Sequence, residues 1–363
     1  MLYTHLYAKG DPIIFLLRKE GRKMKKIVAI LLALVLVIGL AACASQTEDA
    51  AQDDELIIAH LPKSIGGAWY TRMFAGFERF AADRPNVEVV QIGHTTGDAT
   101  LQIQAIEDFI VEVQGRNAAL CVSFVSPEPL EGVLQRAMEA GIIVLGDEGP
   151  FNTNLYYNVA PFIDAEYAAN AAHELASMIG YEGQYAIFVN NLGAALHVLW
   201  ADVIRETMET YYPNIELVTY PYMEGLHDPQ NAYERTMELF RAFPDLRGIY
   251  GASSTCSAGI ARAIAEAGRC DTFAFITNGV ADLYVHFIHD GTVNAVTGWD
   301  PSMHGEAMAT LAYRIFRGER AYDGMDLGVA GFDAVNVSGT QVTGNRWQWL
   351  TRDNIDEIIE RYW

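Results

Sequence analysis

The chain has 363 residues, 51% of them apolar, which is enough to build hydrophobic cores in about two domains of ordinary size. Removing the seven Lys/Arg and two Asp/Glu residues of positions 1–42 from totals of 25 and 46 leaves 18 basic and 44 acidic residues, a net charge of −26. Such a surface repels nucleic acid and anionic membranes, so neither is an expected partner.

The first predicted element is an export segment. Residues 24–43, MKKIVAILLALVLVIGLAAC, combine a basic start, an apolar run and small residues before a cysteine, as a secretory signal does. The apolar run, residues 27–42, is shorter than the ~18 residues expected of a spanning helix, and a retained anchor is the alternative interpretation. Residues 1–23 are expected to precede the functional start or to extend the basic region.

The export segment ends in a lipidation motif. Leu40-Ala41-Ala42-Cys43 resembles the bacterial lipoprotein box, in which the cysteine is lipidated and becomes the first residue of the mature protein. The alternative is an incidental cysteine after an ordinary signal. Because the next residues, ASQTEDAAQDD, are polar and acidic, they favour a flexible tether. The sequence therefore predicts a signal segment at 1–42, lipidation at Cys43, an acidic tether at 43–54, and a lipid-anchored protein on the outer face of a membrane, either extracellular or periplasmic.

From residue 55 onward, short β-rich runs alternate with amphipathic stretches, a pattern typical of parallel βαβ units. Strands are predicted at 55–61, 87–93, 119–125, 141–148, 155–160, 184–190, 215–222, 246–252, 272–278 and 292–299. Helices are predicted at 68–83, 99–114, 128–140, 163–179, 198–212, 229–243, 256–268, 280–289 and 302–317. These strands are too many for one ordinary sheet, so we expect two α/β halves whose strand carboxyl ends face a shared ligand cleft.

The cysteines after the tether are Cys121, Cys256 and Cys270. An exported chain can form disulfides, but Cys256 and Cys270 bound a predicted helix that sets them roughly 20 Å apart at about 1.5 Å per residue. A disulfide tolerates about 7 Å between Cα atoms. We therefore expect free, buried thiols, and their spacing does not indicate a metal site.

Lys63, which follows the first strand, is the only lysine after residue 42. It precedes Gly66 and Gly67, which let backbone approach a ligand, and Trp69 and Tyr70, whose rings can stack on a sugar. The alternative makes Lys63 a surface charge and Trp69 a core residue. We favour a ligand-binding role for Lys63, Trp69 and Tyr70.

Carboxylates follow two further strands. Asp147 and Glu148 lie at the end of the fourth strand in a glycine-flanked turn, where they can accept hydrogen bonds from ligand hydroxyls or serve as ordinary turn residues. Trp299 and Asp300 follow the tenth strand, where a ring and a carboxylate can clamp a polyol or simply begin a helix. We place all four in the candidate ligand site.

In the second half, the candidate ligand contacts are His197 after the sixth strand, Ser253 and Ser254 after the eighth, and Asn278 at the end of the ninth. A structural histidine, two helix-capping serines and a turn asparagine are the alternatives. No nucleophile elbow, phosphate-binding loop or zinc-protease motif is present, and no cofactor or metal is predicted.

Several of these stretches together resemble a known family. They are LPK (61–63), VSFVSPEPL (122–130), RAMEAGIIVL (136–145), YYNVAP (156–161) and HDGTVNAVTGWD (289–300). With the lipoprotein box, they resemble the type 1 periplasmic binding proteins that feed ABC transporters, and most of all the branch that binds rhamnose and autoinducer-2. The likeness runs from about residue 55 to the C-terminus.

The resemblance implies a Venus-flytrap fold, with two Rossmann-like parallel-sheet lobes joined by a three-crossing hinge near 158–161, 297–300 and 331–336. The N-terminal lobe is then 55–158 plus 300–331, and the C-terminal lobe is 159–299 plus 332–363.

The resemblance also assigns residues. Lys63 falls on the lysine that the autoinducer-2 branch uses against its furanosyl ligand. Glu148, or Asp147 with a one-residue shift, falls on that branch's acidic position, while Trp299 and Asp300 match its WD pair.

This sequence departs from the family pattern in the C-terminal lobe. Leu196 and His197 stand where the autoinducer-2 branch has an Asp-Gln pair, and Ala252 and Ser254 stand where it has proline and alanine. Val198 replaces the clamping arginine of ribose-type members. These departures predict fewer polar contacts from that lobe and disfavour ribose and unmodified autoinducer-2.

The sequence thus predicts a lipid-anchored, monomeric, non-enzymatic solute-binding protein that captures a small polyhydroxylated ligand, a sugar or sugar-like signal. It delivers this ligand to the permease of an ABC importer. Two alternatives stay open: a sensing module that signals to a receptor kinase or chemoreceptor, and, with less support, an extracellular sugar hydrolase.

Overall fold

The computed structural model describes residues 55–345 and 347–362, so Cys43 and the tether lie outside the described residues. The strands are β1 Leu56–Leu61, β2 Val87–Gln91, β3 Ala118–Ser123, β4 Ile143–Asp147, β5 Tyr157–Ala160, β6 Gly183–Val189, β7 Ile215–Leu217, β8 Met223–Glu224, β9 Leu246–Gly251, β10 Ala274–Asn278, β11 Ala295–Gly298, β12 Asn336–Ser338, β13 Gln341–Thr343 and β14 Gln348–Leu350. The α-helices are α1 Ala68–Ala81, α2 Ala99–Glu112, α3 Glu131–Glu139, α4 Asp164–Met178, α5 Ala195–Tyr211, α6 Pro229–Ala242, α7 Ser254–Glu266, α8 Ala281–His289, α9 Pro301–Phe316 and α10 Ile355–Tyr362.

The strands form two mostly parallel sheets, each the centre of one lobe. The first lobe has the order β12-β13-β5-β4-β3-β1-β2, and the second has β14-β11-β10-β9-β6-β7, with β8 paired to β6. Each predicted strand and helix overlaps one of these elements, whereas β8, β12, β13, β14 and α10 were not predicted. The predicted α/β fold with two parallel-sheet lobes is confirmed.

Both faces of each sheet are covered by apolar side chains. In β1 every residue is buried, because helices of the first lobe pack on both sides of the sheet. The second sheet lies between two further apolar clusters in the same way. The open ends of the strands, rather than the faces of the sheets, are therefore where a ligand has room to bind.

The third chain crossing between the lobes differs from the prediction of 331–336. Residues 341–343 pair in parallel with β5, and Asn336–Ser338 pair antiparallel to them, with Val342 fully buried in the first-lobe core. This hairpin adds two strands to the edge of the first sheet, so the chain returns to the second lobe only after Thr343. The assignment of all of 332–363 to the C-terminal lobe was wrong for this reason.

Helices α1 and α9 of the first lobe pack in close backbone contact. A Cβ atom on Gly76 of α1 would lie 1.9 Å from the carbonyl oxygen of Ser302, and one on Gly305 of α9 would lie 2.1 Å from that of Met73. Only glycine allows these two backbones to touch. The contact holds the start of α1, with Trp69, next to the start of α9.

Cys121 and Cys256 are free and buried, while Cys270 is free but only partly buried, so the expectation of burial was wrong for Cys270. Within the described residues, none of the helices is both long and apolar enough to span a membrane.

Candidate functional site

A cleft lies between the strand ends of the two lobes and has two connected parts. The part that we call the aromatic part is lined by Trp69, Asp147, Glu148, Pro150, Asn158, Ala160, Pro161, Asp164, Leu196, Trp200, Asn278, Trp299 and His304. The part that we call the lysine part is lined by Lys63, Trp69, Tyr70, Glu148, His197, His227, Ala252, Ser253, Ser254, Thr255 and Asn278. Their non-atom spaces, open mouths included, measure about 420 and 340 Å³. Trp69, Glu148 and Asn278 line both, so the two parts form one cleft.

Lys63 is buried at the end of β1, with 3% of its surface exposed. Its ammonium group donates a hydrogen bond to Glu148 Oε2 within an ion pair that links β1 to the turn after β4. The interpretation of Lys63 as a surface charge was therefore wrong. Because an unpaired buried ammonium is very costly, Glu148 is what allows this lysine to lie inside the cleft.

Glu148 is held in a strained turn. Its φ of 62° lies in the left-handed region, which non-glycine residues seldom adopt. A Cβ atom on the next residue, Gly149, would lie 2.4 Å from the Phe124 ring, so glycine is required there. Asn158 Oδ1 accepts a hydrogen bond from the Gly149 N–H at 2.8 Å. The turn is thus fixed from both sides, and it aims the Glu148 carboxylate at Lys63.

His197 reaches Glu148 from the opposite lobe. Its Nδ1 accepts a hydrogen bond from the Asn190 N–H at 3.2 Å, and its Nε2 lies 3.4 Å from Glu148 Oε2. Burial, reinforced by the Lys63 ammonium, lowers the pKa of His197, so the ring is neutral with its proton on Nε2. The lobes therefore meet across the cleft through a neutral histidine that donates to a paired carboxylate.

The neighbouring carboxyls Asp147 and Glu148 have opposite electrostatic environments. Burial alone would raise the pKa of Glu148, but the Lys63 ammonium and the His197 ring outweigh burial and lower it. Burial and the Glu148 charge together raise the pKa of Asp147, whose Oδ2 accepts from Ser123 Oγ at 2.7 Å. Glu148 is thus the ionised member of the pair, and Asp147 is the one that binds its proton more tightly.

The second lobe supplies the opposite wall of the lysine part. Ser253 and Ser254 line it at the start of α7, and the Ser253 side chain makes no helix-capping hydrogen bond. Asn278 is 7% exposed, and its Oδ1 has no hydrogen-bond partner. His227 also lines this wall, and its Nε2 has no partner either. Unpartnered buried polar atoms in a cleft provide hydrogen-bonding capacity for a ligand.

Aromatic rings surround the aromatic part near the hinge. Trp299 packs edge-to-face against Trp69 and against Phe162, with ring centroids 4.9 Å apart in each case. Trp299 Nε1 is buried without a partner. These tryptophans therefore present apolar ring surface and one free N–H donor, the combination that suits the mixed apolar and hydroxylated surface of a sugar.

The structure places Asp300 differently from the prediction. Asp300 does not line the cleft; it forms a bidentate ion pair with Arg72, at 2.9 and 2.8 Å, and caps α9 by accepting from the Ser302 N–H at 2.8 Å. Both carboxylate oxygens are thus engaged, and the helix-start interpretation describes this residue. The other predicted site residues, Lys63, Trp69, Tyr70, Asp147, Glu148, His197, Ser253, Ser254, Asn278 and Trp299, lie together around the cleft.

Among the polar and aromatic residues of the cleft wall that sequence reasoning missed are Asp164, Trp200, His227 and His304. Asp164 Oδ1 accepts a hydrogen bond from Trp200 Nε1 at 2.8 Å. Both belong to helices that the apolar periodicity of the sequence predicted, but only the assembly of the two lobes shows that their side chains face the cleft. His227, with a left-handed φ of 56°, lies in a loop with a clear signal, the sequence GLHDP after the seventh predicted strand.

Residues 58–320 match the model of the periplasmic binding protein domain. The chain belongs to the periplasmic binding protein family. Its predicted nature as a binding protein rather than an enzyme is confirmed by this membership, as is the resemblance to the type 1 members.

Solved structures of other periplasmic binding proteins have the same fold. An ABC transporter solute-binding protein from Agrobacterium vitis, bound with α-D-tagatopyranose, has 18% identity and a TM-score of 0.73 over 85% of this chain and 99% of that chain. LsrB from Clostridium saccharobutylicum in complex with AI-2 has 18% identity and a TM-score of 0.73 over 83% of this chain and 99% of that chain. A carbohydrate transporter solute-binding protein from Agrobacterium radiobacter, in complex with D-arabinose, has 19% identity and a TM-score of 0.72 over 84% of this chain and 98% of that chain.

Proposed function

We propose that this periplasmic binding protein captures a small sugar or sugar-like ligand in the cleft and delivers it to the permease of an ABC importer. The observation that carries the proposal is the set of unpartnered buried polar atoms, Asn278 Oδ1, His227 Nε2 and Trp299 Nε1, beside tryptophan rings in a cleft between two lobes. A polyhydroxylated ring offers both donors and acceptors for these atoms and an apolar face for the rings.

The contact between the lobes supports capture by closure. His197 of the second lobe meets Glu148 of the first. The His227 ring of the second lobe packs closely on Gly97 of the first, since a Cβ atom added to Gly97 would lie only 2.6 Å from this ring. Because these contacts form only when the lobes are together, the closed arrangement presents a surface that an open one does not, which a permease can recognise.

The proteins of similar fold support a transport role over the alternatives. Those from Agrobacterium are described as solute-binding proteins of transporters with tagatose or arabinose bound. A sensing module is not favoured by these descriptions, and family membership removes the support for a hydrolase. We further propose that the protein acts as a monomer. We also propose that lipid on Cys43 holds it at the outer face of a membrane, because the lipoprotein box and the acidic tether precede the folded lobes.

The test is titration calorimetry of the purified protein, residues 55–363, against pentoses, hexoses, deoxyhexoses and furanosyl signals. We expect one class to bind with a Kd of about 1 μM or tighter, as a preformed small-molecule site allows. Glu238→Gln, on the exposed face of α6, is the matched control and should bind as the parent does. Failure of every sugar to bind to the folded protein would overturn the proposal.

A further inference from the structure

The cleft contains more carboxyl groups than cations. Asp147, Glu148 and Asp164 all line its aromatic part, whereas Lys63 is the only lysine or arginine among the described residues that line either part. The Lys63 ammonium is already paired with Glu148. Two carboxyls, Asp147 and Asp164, are therefore left without a cation of their own.

The partners of these two carboxyls are neutral donors. Asp147 accepts from the Ser123 hydroxyl, and Asp164 accepts from the Trp200 indole N–H. The guanidinium group of Arg72, in α1, is engaged with Asp300 through two hydrogen bonds. Burial and the Glu148 charge raise the pKa of Asp147 to about 8, and burial raises the pKa of Asp164 to about 7, so each carboxyl holds a proton for want of a cation of its own. A positive ligand group placed beside them would stabilise their ionised forms.

The histidines of the cleft do not supply that charge. Burial lowers the pKa of His304 to about 4 and, together with the Lys63 ammonium, lowers the pKa of His227 to about 3. Burial and Lys63 lower the pKa of His197 as well. All three rings are therefore neutral near pH 7, and the carboxyl excess remains.

The other groups of the aromatic part also suit a cation. Trp69, Trp200 and Trp299 line it together with Asp147 and Asp164, and tryptophan has the ring face that attracts cations most strongly. Asn278 Oδ1, which lines the same part from the second lobe, is an acceptor that is buried without a donor. An ammonium group has three N–H donors and no acceptor, which matches two carboxyls and one amide oxygen.

We propose that the preferred ligand is a polyhydroxylated amine, such as an amino sugar, whose ammonium group lies in the aromatic part of the cleft among Asp147, Asp164 and Asn278 Oδ1. This inference rests on the proposed function and specifies its ligand class. The hydroxyls of such a ligand bind the remaining polar atoms of the lysine part, and the neutral ring packs against tryptophan.

The experiment is calorimetry near neutral pH with sugars matched in stereochemistry but different in charge. Each set contains a neutral sugar, its amino sugar and its uronate, in the gluco, galacto and manno series. We expect an amino sugar to bind at least about tenfold more tightly than its neutral counterpart, and the uronate of that series to be the weakest ligand.

Asp164→Asn provides the second arm, because the asparagine Oδ1 can still accept from Trp200 Nε1 while the charge is removed. The preference for the amine over the neutral sugar should shrink about tenfold in this variant, with an unchanged unfolding transition as the check on folding. Glu238→Gln, which removes a charge outside the cleft, should leave the preference as in the parent.

The possible outcomes separate this inference from the proposed function. Binding of a neutral sugar as tightly as its amine, or tighter binding of the uronate, overturns the amine preference and leaves the sugar-binding function standing. Failure of every member of every set to bind overturns both. An amine preference that Asp164→Asn does not reduce also overturns the assignment of the ammonium position.

Discussion

The two walls of the cleft differ in how their polar groups are satisfied. On the first-lobe wall, Lys63 pairs with Glu148, and Asp147 accepts from Ser123, so the main polar groups already have partners within their own lobe. On the second-lobe wall, Asn278 Oδ1 and His227 Nε2 are buried without partners. One wall is therefore assembled before any ligand binds, and the other has hydrogen bonds still to make.

This difference suggests how ligand binding and lobe closure are coupled. Burying an unpartnered polar atom costs about 1–3 kcal/mol, so a closed cleft without ligand carries a penalty on its second-lobe side. A ligand that supplies the missing partners removes that penalty only when the lobes are together. The ligand thus binds the closed arrangement more tightly than an open one and shifts the population toward it.

The largest expected effect comes from breaking the assembled wall. Lys63→Met leaves the Glu148 carboxylate in the cleft with no cation, and removing one partner of a buried ion pair costs about 3–5 kcal/mol. We expect the free energy of unfolding, measured by urea denaturation, to fall by that amount and ligand binding to be lost.

The double variant Lys63→Met/Glu148→Gln is the control, because it removes both charges together. It should recover most of the lost stability without recovering binding. An unfolding midpoint of the single variant equal to that of the parent would contradict the buried pair.

An intermediate effect is expected from Asp164. Burial raises the pKa of Asp164 to about 7. The hydrogen bond from Trp200 opposes this rise, and the charges of Glu148 and Asp147 add a smaller increase. In the unfolded chain this pKa is about 4, so the folded state holds the proton more tightly. The contribution of Asp164 to the free energy of unfolding is therefore fully present below pH about 4 and is lost as the pH rises toward 7.

Asp164→Asn does not titrate, so its stability relative to the parent should increase by about 1–3 kcal/mol between pH 4 and 7. The full linkage value is not expected because the carboxyl is partly exposed. Thermal unfolding of both proteins across this pH range measures the difference. A constant difference, independent of pH, would show that the Asp164 pKa is not raised.

The smallest effect is expected on the wall that lacks partners. Asn278→Leu keeps a similar side-chain shape but deletes Oδ1, a buried acceptor that nothing satisfies in the absence of ligand. We expect the free energy of unfolding to stay within about 0.5 kcal/mol of the parent, while ligand affinity falls about tenfold. Loss of stability without loss of affinity would instead indicate that Asn278 is a structural residue of β10.

The fold was largely predictable because its signals are local. Alternating β-rich and amphipathic stretches identified every strand that forms the centre of a sheet, such as Leu56–Leu61, whose six residues are all buried. The elements that were missed are short or lie at a sheet edge: β8, β12, β13, β14 and α10. Edge strands such as Asn336–Ser338, with exposed residues at both ends, lack the apolar run that marks a central strand.

The candidate site was most predictable where its residues lie at or soon after strand ends. Lys63, Asp147, Glu148 and Asn278 come at strand ends, and parallel topology brings such ends together. Asp164 is the first residue of α4 and Trp200 lies in the second turn of α5, and along a helix a side chain that faces a cleft and one that faces the core look alike in sequence. Asp300 follows a strand too, yet Arg72, distant in sequence, turns it away from the cleft.

By itself, the sequence determined the order of strands and helices and the strand ends that line the cleft, and it predicts export and lipidation, because each of these signals depends on residues close together in the chain. Tertiary structure alone decided which charges are paired. Lys63 finds Glu148 85 positions away, Arg72 finds Asp300 228 positions away, and Asp147 and Asp164 are left with neutral donors. Charge balance in a buried cleft is a property of three-dimensional neighbours, and the proposed class of ligand rests on this balance.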